Sequence, residues 1–211
     1  MRIGRRTFAT LGPLAALGLL AACSDGGGGG GGGGGEEDFV TDLTFGTGGT
    51  GGVYYPLGGE YAAIYEANID DVTVNYTDSG ASVENIGKIF QQEWQLGIVQ
   101  SDTAASAVAG SGEFEGAQVD NLGWIAGLYP EAAHIVTLAG SGIESPADLA
   151  GKRIAVGDVG SGTRAVSDAI LAAYDIGEGD YEPFEQDFSS SLDLLRDNNI
   201  DASVFVVGTP T

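Results

Sequence analysis

Four times along the chain a short apolar run gives way to small residues and then to a stretch with helical spacing. DLTF (42–45) leads through GTGGTGG into YPLGGEYAAIYEAN, and VTVNYT (72–77) through DSGAS into VENIGKIFQQ. LGIV (96–99) leads through QSD into TAASAVAG, and RIAVG (153–157) through DVGSGT into RAVSDAILAAY, while a fifth run, ASVFVV (202–207), enters GTPT. Continuous apolar runs, as opposed to strict alternation, mark strands buried on both faces. Strands that alternate with helices predict an α/β fold with helices over a mainly parallel sheet. Val166, Ile170 and Tyr174 fall at i, i+4 and i+8, and Ile86, Ile89 and Phe90 form a second stripe, both expected to face a core.

The segment IVTLAGSGIESPADLAGKRIAV supplies a strand, a glycine loop, Ser145 as a cap with Pro146 at the first helical position, and a short helix ending near Gly151. It reads as a crossover between two lobes, residues 39–140 and 141–211.

Residues 1–22, MRIGRRTFATLGPLAALGLLAA, have a basic start and an apolar run from Leu11 to Ala22. The run is about half the roughly 20 residues of a spanning helix, which makes it an export signal. Arg5-Arg6 before Thr7-Phe8 resembles a twin-arginine (Tat) signal, and Leu20-Ala21-Ala22-Cys23 resembles a lipoprotein box, so Cys23, the one cysteine, is expected to carry lipid. Residues 23–38 then form a tether containing ten consecutive glycines, Gly26 to Gly35, with a typical reach of roughly 20 Å. The expected location is the outer face of the cell membrane. Beyond the signal five basic residues stand against all 30 acids, a net charge of −25. That balance repels phosphate backbones and excludes nucleic-acid binding. Acids in excess with two lysines, Lys88 and Lys152, is also the composition of an extreme halophile.

Gly46-x-Gly48-x-x-Gly51 has the spacing of a dinucleotide loop. The acid that would hold a ribose is displaced: Asp70 and Asp71 precede the strand VTVNYT, and Asp78 lies 27 residues beyond Gly51. An exported Rossmann-type oxidoreductase therefore stays as an alternative. The other reading uses free backbone N–H groups at helix starts, where glycine lets a ligand come close. GTGGTGG and GSGT (160–163) both sit between a strand and a helix, so two lobes would enclose a small polar ligand between them. Ser79, Ser82, Gln100 and Ser101 add polar groups at matching strand ends, though each serine also suits an ordinary helix cap.

GTGGTGGVYYPLGG, TDSGASVENI, LGIVQSD, IAGLYPEAAHIVTLAGSGIESPADLAGKRIAVGDVGSGT and DASVFVVGTPT together resemble the TAXI family of solute-binding proteins that serve TRAP transporters. The resemblance implies a two-lobed, venus-flytrap receptor of the periplasmic-binding-protein type (type II). It would capture a small organic anion or amino acid, such as glutamate or a dicarboxylate, for a membrane permease. Carried over, the pocket would include Gly49, Thr50, Gly51, Tyr54, Ser82, Asn85, Gln100, Ser101, Tyr129, Ser161, Gly162 and Thr163. Arg164 would be a further candidate for a ligand carboxylate. Family members continue for about a hundred residues more, so the second lobe is expected to be incomplete, and a truncated surface lipoprotein without ligand is a third reading.

Catalysis has little to work with. His134, the sole histidine, sits in AAHIVTL, where a hydrogen-bonded core or hinge imidazole is expected. There is no G-x-S-x-G elbow, no Walker loop and no Cys/His metal cluster. The acidic stretch DIGEGDYEPFEQD (175–187) lacks calcium-loop order and reads as a solvated turn. A non-enzyme without cofactor or metal is expected.

Overall fold

The computed structural model describes residues 39–209; the signal, Cys23 and the glycine tether lie outside the described residues. The first strands and helices alternate as expected: β1 (Asp42–Gly46), α1 (Tyr54–Asn68), β2 (Thr73–Thr77), α2 (Ser82–Phe90), β3 (Leu96–Gly97) and α3 (Ser101–Ala109). After a long connection come β4 (Ala132–Thr137), β5 (Arg153–Ala155), α4 (Gly162–Ala173), β6 (Glu182–Phe184), α5 (Phe188–Arg196) and β7 (Ala202–Val207). Single 3-10 turns occur at Gly112–Phe114 and Pro146–Leu149. The second has Ser145 as its cap in a capping box with Asp148, whose carboxylate accepts the Ser145 N–H at 2.8 Å.

Two sheets result. The first is parallel, in the order β2-β1-β3, and the second runs β4-β7-β5-β6. β5 is parallel to β6 and β7, whereas β4 runs antiparallel to β7 over six residue pairs. The pairings are mainly parallel, as expected, with β4 the antiparallel exception. β4, assigned from the sequence to the first lobe, belongs to the second sheet. The chain therefore changes sheets before Ala132, ahead of the expected boundary at residue 140, because the partner that captures β4 lies some 70 residues later, in β7.

Burial explains the composition of each element. β7 is buried at every position, with neighbours on both edges, so ASVFVV carries no alternation. Its Ala202 and Val204 join Leu149, Ile154, Val156, Leu171 and Ile176 in one core cluster, and Ala155, Leu195 and Ile200 form another under α5. In the first half, Phe45, Ala62, Val74 and Ile98 pack between α1 and the sheet. Ile86, Ala104, Ala107, Phe114 and Val119 fill the other side.

The buried stripe of α4 is one position away from the expected one. Thr163, Ser167 and Leu171 face inward, and Tyr174 is 47% exposed. Ser167 is tolerated there because its hydroxyl donates to the carbonyls of Val156 (2.9 Å) and Thr163 (2.8 Å). In α2, Ile86 is buried as expected, but Phe90 is exposed at the helix end. Part of the acidic stretch read as a solvated turn forms β6, an edge strand in which Pro183 costs no ladder bond on the open side.

Candidate functional site

In parallel α/β units each helix begins at the carboxyl end of the preceding strand, so helix starts gather along one edge. Here α1, α2 and α3 follow β1, β2 and β3, and α4 and α5 follow β5 and β6. All five starts face one cleft of about 70 Å³ between the sheets. Its lining comes from residues 52–54 at α1, 79–82 at α2, Gln100 at α3, 161–163 at α4 and 187–188 at α5. Gly48, Gly49, Glu131, Asp158, Val206 and Val207 complete it.

The two halves touch across this cleft. The N–H groups of Val83 and Glu84, in the first turn of α2, donate to the Gly160 carbonyl at 2.9 and 3.2 Å. A Cβ on Gly162 would run into the Gln100 amide and approach Ser82 Oγ, so only glycine lets α4 start this close to α2 and α3. Ala81 at the start of α2 has φ 74° and ψ −131°, a region disfavoured for any residue with a Cβ. It is held there by Ser79 Oγ, which accepts the Ala81 N–H at 3.0 Å, and by the Glu84 carboxylate, which accepts the Gly80 N–H at 2.7 Å. Strain of this kind persists where the surroundings over-determine it, as they do at binding sites.

The polar groups centre on Glu131. Tyr54 Oη donates to its Oε2 at 2.9 Å and Tyr129 Oη to its Oε1 at 3.3 Å. Burial lifts the Glu131 carboxyl above its ordinary range, against the hydrogen bonds from Tyr54, Tyr129 and Gln100, and the charge of Asp102 adds to the rise. Burial, followed by the Glu131 charge, also pushes both phenols up, so Tyr54 and Tyr129 stay protonated donors at neutral pH. Gln100 is 8% exposed; its main-chain N–H donates to Ser82 Oγ at 3.0 Å, while its side-chain Oε1 is buried with no donor in reach. Asp187 caps α5 through the Ser190 N–H at 3.0 Å, and Asp158 accepts the Val159 N–H at 2.8 Å. Among the described residues three carboxylates thus line the cleft, and no Lys or Arg does. Among the described residues no group of His, Cys, Asp and Glu is arranged to hold a metal ion.

Of the residues expected from the sequence, Gly49, Tyr54, Ser82, Gln100, Ser161, Gly162 and Thr163 line the cleft. Ser161 doubles as the α4 cap, accepting the Arg164 N–H at 3.0 Å. Tyr129 lies behind the lining, acting on Glu131, with its ring against Gly208.

Four expected residues lie elsewhere. Thr50 and Gly51 are exposed on the loop, where Gly51 abuts Ser189 at the start of α5. Asn85 is fully buried beneath the cleft: its Nδ2 donates to the carbonyls of Thr47 and Ile98, both at 2.8 Å, and its Oδ1 accepts from Ser79 Oγ at 2.7 Å. With its hydrogen bonds spent on the fold, it joins strand ends. Ser101 is exposed and lines a separate groove along α3. Arg164 is likewise committed, to Asp168 at 2.9 Å and Glu185 at 2.5 Å. His134 on β4 is half-buried, but its Nε2 has no partner, unlike the hydrogen-bonded imidazole expected.

The acidic lining was missed. Glu131 is the one carboxylate between Asp120 and Glu144 and stands in an otherwise apolar stretch, which was the available signal. Asp187 before FSSS had the pattern of an N-cap and went unread with its helix.

Solved structures share this architecture. The alkanesulfonate-binding protein SsuA from Xanthomonas axonopodis pv. citri, bound to MOPS, aligns with a TM-score of 0.56 at 19% identity, over 81% of this chain and 55% of that one. A substrate-binding protein of an ABC uptake transporter from Streptococcus pneumoniae, with bound histidine, aligns at 0.55 and 15% identity, over 79% of this chain and 66% of the other. Holo ArgBP from T. maritima aligns at 0.54 and 14% identity, over 79% and 69% of the two chains. The chain thus spans little more than half of the first of these proteins. At such identities the likeness establishes the fold, that of two-lobed α/β periplasmic-binding-protein-like structures. In sequence, the model of the NMT1-like family matches residues 45–211, most of the chain, and the protein belongs to that family.

Proposed function

We propose that this protein is an extracytoplasmic solute receptor that captures a small organic acid or amino acid in the cleft between its two sheets. The finer form of the reading is a TAXI-type receptor, held to the outer membrane face by lipid on Cys23, that hands its solute to the permease subunits of a TRAP transporter. The convergence of five helix starts from two sheets on one cleft carries the proposal, since such edges are where α/β folds of this kind hold ligands. The strained Ala81 at the same place is in keeping with it. The fold neighbours with bound histidine or MOPS are binding proteins, which agrees with a receptor that performs no catalysis.

The test is a thermal-shift screen of the full chain against amino acids, C4 and C5 dicarboxylates, sulfonates and NAD. A solute present at 100 times its Kd adds about 2.7 kcal/mol, which for a chain of this size raises Tm by roughly 5–10 °C. Silence across the whole panel would remove the receptor reading, and a response to NAD alone would restore the dinucleotide one.

A further inference from the structure

We infer that the solute enters the cleft with a cationic nitrogen, an ammonium or guanidinium, seated against the Glu131 carboxylate, with the Gln100 side-chain oxygen as a second acceptor. This rests on the receptor reading and narrows its solute class.

Several groups that would hold an anion are already engaged by the protein's own oxygen atoms. The Val83 and Glu84 amides of α2 are bonded to the Gly160 carbonyl, the Arg164 amide of α4 to Ser161 Oγ and the Ser190 amide of α5 to Asp187. The partial positive charge at these helix ends is met by Glu131, Asp158 and Asp187 within the same lining. A dicarboxylate would bring two more negative charges into a cleft whose lining among the described residues has no Lys or Arg, and Arg164, the candidate cation from the sequence, is held by Asp168 and Glu185. One buried acceptor of the lining lacks a donor. Gln100 is more than nine-tenths buried, and its Oε1 accepts nothing; a buried acceptor left so costs about 1–3 kcal/mol, which an N–H from the solute would recover. Glu131, held by Tyr54 and Tyr129, is pre-oriented beside it and can still accept from a charged donor. The available space of about 70 Å³ corresponds to roughly five to seven water-sized groups, enough for a cationic head and little else.

The groups facing Glu131 are Tyr54 from α1, Tyr129 from its own segment, and Gln100 and Asp102 from the α3 region; none titrates as a cation. Binding of a cation therefore weakens as pH falls through the raised Glu131 carboxyl, and stays constant above it.

Calorimetric titration of the full chain with L-arginine and with succinate tests the inference. Arginine is expected to bind and succinate to give no heat. Glu131→Gln, nearly isosteric, is expected to weaken arginine at least 30-fold and to abolish the loss of affinity that the wild type shows as pH falls. Should that variant misfold, Gln100→Leu must on its own weaken arginine about tenfold. Binding of succinate without arginine would overturn the cation seat and leave the receptor standing, as would arginine binding that neither variant alters. Silence toward both, together with a silent thermal-shift panel, would remove the seat and the receptor together.

Discussion

The two halves share their strand-to-helix wiring but join their strands by different means. In the second half, β7 is buried along its whole length and pairs with β4 through six residue pairs and with β5 on its other side. In the first, β3 offers only Leu96 and Gly97 to β1, and the joint is completed by the Asn85 amide, which binds the carbonyls of Thr47 just after β1 and Ile98 just after β3. Beside β3, a groove of about 870 Å³ is lined by Trp124 (63% exposed), Ile125 (72%), Val108 and Leu128. The second half thus distributes its cohesion over a main-chain ladder, whereas the first concentrates it in one buried side chain and leaves apolar surface open among the described residues.

The sharpest way to break this contrast is Val204→Asp. Val204 is 3% exposed at the centre of β7, and an unpaired charge there is expected to cost more than about 4 kcal/mol in urea denaturation. Hydrogen exchange should show protection lost first in β4, β5 and β7; simultaneous loss in β1 and β2 would mean that the halves unfold as one. Next comes Asn85→Ala, which strands two carbonyls and should cost about 3 kcal/mol, an outsized effect for one amide. A cost below 1 kcal/mol would show that β3 is held by its ladder after all. Trp124→Ser should be nearly silent, within about 0.5 kcal/mol. A loss above 1.5 kcal/mol would reveal that something covers the groove.

Most of the alternation was legible because each strand of the first half, and β5 and β7, gives way to small or polar residues ahead of a helical pattern or turn. β6 and α5 were not: EPF contains a proline, and the helix FSSSLDLLR has three serines after Phe188, so beyond the Asp187 cap neither has a strong local signature. The sheet that β4 joins was also invisible, since pairing across some 70 residues leaves no mark on either strand alone. At the cleft, the glycines and Ser82, Gln100 and Ser161 were legible as small or capping residues after strands. The same logic misplaced Asn85 and Ser101, because residue type cannot tell which side of a helix start faces the opposite half. Glu131 was overlooked because, in a chain this acidic, one more carboxylate resembles surface.

The bonds from Val83 and Glu84 to the Gly160 carbonyl also bear on how fast such a molecule could fill. Swinging the halves apart would hand both amides to water, at about 1 kcal/mol net for each exchange. Two such bonds bias an empty molecule toward its shut form by roughly 30-fold, so only a few per cent would stand ajar at any moment. On the proposed receptor function, entry is then throttled by that minority, and weakening the Gly160 latch would speed capture without touching any atom of the proposed solute seat.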